Sequence, residues 1–81
     1  MDGRVLHHWW NGSWGRLNRR DVYIRSDGDQ FELELRLGGS EGRRWLRTYD
    51  TYQNAVTEAE QHMTTDQRWT DVSRAHHTRN Q

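Results

Sequence analysis

Apolar and polar positions alternate strictly from residue 30 to 37. Phe31, Leu33, Leu35 and Leu37 fall on one side, and Glu32, Glu34 and Arg36 on the other. A period of two belongs to a strand with one buried face. The segment before it, 22–26, reads as a hairpin partner across Asp27-Gly28, a dipeptide suited to the positive φ values of a type I′ turn. That turn pairs Ile24 with Phe31 and Val22 with Leu33, apolar against apolar, and sets Tyr23 opposite Glu32 on the other face. A glycine-rich loop then leads into a third strand over 43–49. If the loop is 39–42, Leu35 faces Leu46 in the core, while Arg36 meets Trp45 and Glu34 meets Arg47 outside. A loop one residue longer turns Trp45 inward.

At Asp50 the period changes. Asp50 followed by Gln53 has the form of a capping box, in which each side chain reaches a backbone amide at the helix start. Tyr52, Ala55, Val56, Ala59 and Met63 then recur at helical spacing, which predicts an amphipathic helix over about 51–63. Its stripe covers the Phe31, Leu33 and Leu35 face, with Ala55 and Ala59 small enough for close approach. The expected class is therefore α+β, a three-stranded antiparallel meander (21–49) with one helix packed on one face, in a domain spanning 21–72. Trp69 and Val72 return to the edge of the core, and 73–81 reads as a mobile tail. Residues 1–20 form a Trp- and Arg-rich segment. A hairpin at Asn11-Gly12 would set Trp9 across from Trp14, yet neither face is consistently apolar, so irregular structure pinned by Trp side chains is expected there.

With 81 residues the chain is one domain, and its apolar share of 31% makes a small core to which five Trp contribute large contact areas. The absence of cysteine removes disulfides, thiol catalysis and thiolate zinc sites. No apolar run reaches the roughly 20 residues that span a bilayer, and residues 1–10 lack a signal-peptide core. A soluble, cytoplasmic protein without membrane contact is expected. All 12 basic residues are Arg, a trace of GC-rich coding as much as of mechanism. Net charge is zero but uneven: residues 1–20 hold four Arg against one Asp, and residues 21–70 hold six Arg against ten acids.

Chemical motifs are sparse. The pairs His7-His8 and His76-His77, with His62, lack an acidic partner at ligand spacing, so no metal is expected. Glu32 and Glu34 share a strand face, where pairing with Tyr23, Arg25 or Arg47 explains them better than acid–base catalysis. The glycines of 38–42 join two strands, not a strand and a helix N-terminus, so they form a turn and not a phosphate loop. Asn11-Gly12-Ser13 is a glycosylation sequon in spelling alone. No serine nucleophile elbow occurs. Neither an enzyme nor a cofactor is expected. What remains is an exposed sheet face of Arg and aromatic residues: Tyr23, Arg25, Arg36, Trp45, Arg47 and Tyr49, extended by Arg16, Arg19 and Arg20. Such residues suit protein hot spots and also nucleic acid.

The run 27–36, with Gly42-Arg43-Arg44, the stretch 47–51, Ala55 and Ala59, resembles the arm-type DNA-binding domain of tyrosine recombinases. That resemblance implies three strands and a helix, with the sheet inserted into the major groove. A fainter similarity, through Trp14-Gly15-Arg16, is to the WGR domain. Glu32 and Glu34 would repel phosphates, and the total charge lacks a basic excess. The sequence therefore favours a non-catalytic module that recognises a protein partner, with double-stranded DNA as the alternative ligand.

Overall fold

The computed structural model describes residues 4–13, 15, 18–38, 42–63 and 68–73. Elements run in the order β1 (Arg4–Trp10), β2 (Arg20–Asp27), β3 (Gln30–Leu37), β4 (Arg43–Tyr49), α1 (Tyr52–His62) and β5 (Thr70–Asp71). The strands make one antiparallel sheet, ordered β4-β3-β2-β1-β5, with α1 across one face. The α+β class is as expected, but the sheet has five strands instead of three. Trp14, Arg16 and the tail residues 74–81 lie outside the described residues.

The first added strand lies in the segment expected to be irregular. Its register shifts between Val5 and His7, leaving Leu6 as the extra residue of a β-bulge. Leu6 packs against the core, and beyond it His7 and Trp9 oppose Ile24 and Val22 on the helix side. A bulge breaks the alternation of period two, which is why no consistently apolar face can be read there. Asn11-Gly12 does not make a tight hairpin. Instead the Asn11 amide donates to the Arg20 carbonyl (3.1 Å) and its Oδ1 accepts from the Arg20 amide (3.0 Å), closing a longer connection. The second added strand, β5, pairs with β1 through Asp71 and Thr70.

The β2–β3 hairpin keeps its expected faces with a different turn. Its loop residues are Gly28 and Asp29, so Ile24 pairs with Leu33, Val22 with Leu35 and Tyr23 with Glu34. Gly28 has a φ of +65° while Asp29 does not enter positive φ, the pattern of a type II′ turn and not type I′. Moving the turn by one residue shifts the pairing by two, which leaves every side chain on its original face.

At β3–β4 the longer loop prevails. Leu35 pairs with Trp45, Leu33 with Arg47, and Glu34 with Leu46. Trp45, Arg47 and Tyr49 therefore lie on the helix side, and Leu46 lies on the open side, the reverse of the arrangement that a loop of 39–42 gives. Gly42 is pressed against the end of β3: a Cβ there would stand 1.7 Å from the Leu37 carbonyl oxygen.

Val22, Ile24, Leu33, Ala55 and Ala59 form the buried core, surrounded by Leu6, Trp9, Phe31, Leu35, Val56, Met63 and Trp69. The helix is capped by Thr51, not Asp50. Thr51 has extended backbone, and its Oγ1 accepts from the Asn54 amide at 3.1 Å. Ala55 and Ala59 are fully buried, as their size allows, whereas Tyr52 at the first turn is exposed and hydrogen-bonds His7. No helix among the described residues is long and apolar enough to cross a membrane.

Candidate functional site

The sheet face away from α1 is built from alternate residues of neighbouring strands, with Arg44, Leu46 and Thr48 of β4 at its margin. Trp10 and His8 come from β1, Asp21, Tyr23 and Arg25 from β2, and Glu32, Glu34 and Arg36 from β3. Cross-strand pairing puts His8 beside Tyr23, and their rings stack at 4.0 Å. His8 Nε2 lies 2.8 Å from Asp21 Oδ1, and Arg19 Nε donates to Asp21 Oδ2 at 2.8 Å while its guanidinium sits over the Trp10 ring. On the other side of Tyr23, Arg25 and Arg36 each place a guanidinium over its ring, at 4.7 and 4.8 Å. Both then bond Glu34: Arg25 Nη1 donates to Oε1 at 2.6 Å and Arg36 Nε to Oε2 at 3.0 Å.

This network is internally satisfied. Although they stand on the open face, Asp21 and Glu34 are only 2% and 1% exposed. Burial would raise both carboxyl pKa values. In Asp21 it is outweighed by the hydrogen bonds from His8 and Arg19, and in Glu34 by those from Arg25 and Arg36, so both lie below the usual carboxylate range. Burial also pushes the Tyr23 phenol up.

The sequence-derived binding face is thus divided. Tyr23, Arg25 and Arg36 stand together on the open face with Arg19 at its margin, but Tyr23 is buried beneath the guanidinium groups and presents little surface to a partner. Trp45, Arg47 and Tyr49 lie on the opposite side of the sheet. Arg20 borders a cleft of about 200 Å³ between the end of α1 and the sheet, lined also by Val22, Leu35, Leu37, His62 and Trp69. That volume falls below the roughly 300 Å³ at which small-molecule sites begin. His8 escaped the sequence reading because the bulge hid the phase of β1, and with it the partner that Asp21 of β2 meets across the strands.

A second surface is the sheet edge. Among the described residues β4 pairs with β3 alone, and its residues 43–48 are exposed while Tyr49 is half-buried. Trp45 is 39% and Leu46 45% exposed, on opposite faces of the strand. Among the described residues no carboxylate pairs with Arg43 or Arg47. Arg47 lies over Tyr49, and Arg44 reaches Glu34 only at 3.8 Å. At the other end of the sheet β5 offers just two residues. Comparison with known protein families, characterised proteins and solved structures yields no match to this chain.

Proposed function

We propose that this protein is a non-catalytic protein-recognition module whose contact surface is the β4 edge, where an extended segment of a partner adds as a further strand. One observation carries the reading: a regular, unbulged strand of seven residues is paired on one side only among the described residues and exposes Trp45 and Leu46 among three arginines. An open edge of this length is normally short, bulged or covered in soluble proteins, because its free amide and carbonyl groups template further pairing. Here its register with β3 is unbroken over all seven residues. Backbone bonds along the edge would supply affinity, and Trp45, Leu46 and the arginines would supply selection.

A second reading, duplex DNA against the open face, draws support from Glu34. Its oxygens are occupied by Arg25 and Arg36, so it is not presented to phosphates as the alternation suggested, and the resemblance to arm-type recombinase domains points the same way. The same contacts weigh against it, since the arginines that would meet DNA are already engaged by Glu34 and Tyr23. The readings separate in an amide-resolved NMR titration of dilute protein with two probes, a strand-forming peptide of alternating Glu and Val and a nonspecific duplex. Protein recognition expects the peptide to shift β4 amides. Silence of β4, with salt-sensitive shifts of Arg19, Arg25 and Arg36 on adding duplex, would overturn it in favour of DNA.

A further inference from the structure

We propose that the strand received by β4 is β4 of a second copy of this chain, the two pairing antiparallel about a two-fold axis at Leu46. The proposal rests on the reading of β4 as a protein-contact edge and names its partner.

The argument lies in the order of side chains along Arg43–Tyr49. A two-fold axis through an antiparallel pair keeps each face on its own side, so residues 43, 45, 47 and 49 of one copy meet the same set of the other. With the axis at Leu46, Trp45 stands opposite Arg47 of the second copy, and Arg43 opposite its Tyr49. Each pair occurs twice and sets a guanidinium beside an aromatic ring. On the open face Leu46 meets its own symmetry mate, and Arg44 meets Thr48. No arginine faces another. Moving the axis one residue either way destroys this. An axis at Trp45 sets Arg43 against Arg47, and an axis at Arg47 sets Arg47 against itself, and like charges directly opposite are unfavourable. Of the two-fold registers near the middle of the strand, the one at Leu46 uses all seven residues and avoids every directly opposed like-charge pair. It covers the exposed Leu46 and continues the sheet across the axis.

The test is the sedimentation behaviour of the full chain from micromolar to millimolar concentration, with Thr48 as the register probe. Thr48→Glu places a carboxylate opposite Arg44 of the second copy twice over and should tighten the dimer about tenfold, while Thr48→Arg should weaken it comparably. Within one copy the signs are reversed, because Thr48 stands opposite Glu32 of β3. Urea melts at dilute concentration should show Thr48→Arg equal to or more stable than Thr48→Glu, so opposite orders in the two experiments cannot come from fold stability. Leu46→Cys gives a second measure, since the chain has no cysteine of its own. Under a mild oxidant Leu46→Cys should cross-link with itself, whereas Arg44→Cys should not, its symmetry mate lying about four residues, roughly 13 Å, along the strand.

A chain that stays monomeric throughout, or Thr48 variants that move the dimer in the same direction, would overturn the proposal. If such a monomer still shifts its β4 amides with the acidic peptide, the second copy is excluded and strand recognition stands. If β4 is silent to the peptide as well, both fail.

Discussion

At the scale of single residues, Glu34 departs most from what its place in the pattern implies. Alternation assigns it to the solvated side of β3, where its removal would be nearly silent and Leu35→Ala would carry the cost. Instead two arginines close over it, and truncation would leave Arg36 without its carboxylate and Arg25 with only the longer contact to Glu32. Glu34→Ala is expected to cost about 3 kcal/mol, the scale of breaking one partner out of a buried ion pair. Glu32→Ala, whose partner Arg25 lies at 3.6 Å with both groups partly exposed, should cost under about 1 kcal/mol. Urea denaturation of the two variants checks this, and equal effects would mean that the burial of Glu34 contributes nothing. Gly42 provides a backbone counterpart. Gly42→Ala forces a Cβ into the Leu37 carbonyl and should destabilise by about 3 kcal/mol or more. Gly28→Ala meets open space and bears only the strain of φ +65°, about 1 kcal/mol.

Elements were legible in the sequence where period and packing agree. β2, β3, β4 and α1 lie close to where alternation and helical spacing put them, because β2, β3 and α1 share the buried core and β4 pairs with β3 along its length. Details set by short-range geometry were not legible. Asp50 and Thr51 are both competent caps, and which one serves depends on where the chain leaves β4. Thr51→Ala should therefore cost about 1 kcal/mol and Asp50→Ala clearly less, as thermal melts of the two variants would show. The facing of Trp45 turned on one residue of loop length, and β1 was hidden by a bulge at Leu6. Of the candidate site, Arg25, Arg36 and Tyr23 were correctly placed on one face. Pairing of Glu34 with Arg25 was expected from their shared face, but the second contact from Arg36 and the burial of Glu34 beneath both were not legible, because strand period says which side a residue faces and not how closely its neighbours close over it.

For the whole molecule, the open face makes folding depend on pH. Asp21 and Glu34 titrate below their ordinary values in the folded state, so each contributes stability that is fully present above the unfolded carboxyl values of about 4 and is lost as pH falls through the lower folded values. The urea midpoint should stay level from about pH 7 to 5 and decline below about pH 4. Acid also leaves the 12 arginines without their countercharges, and the resulting repulsion would produce a similar decline. Salt separates the causes. Repulsion between exposed charges is screened when the Debye length shrinks to about 3 Å near 1 M salt, whereas pairs buried under guanidinium groups and Tyr23 are screened far less. The acid decline should therefore persist at high salt in the wild-type chain and flatten in Glu34→Gln, which starts from lower stability at neutral pH and has no carboxylate to protonate at that position. A decline that vanishes with salt, or that is unchanged in Glu34→Gln and in Asp21→Asn alike, would show that overall charge and not the buried carboxylates governs the acid stability of this fold.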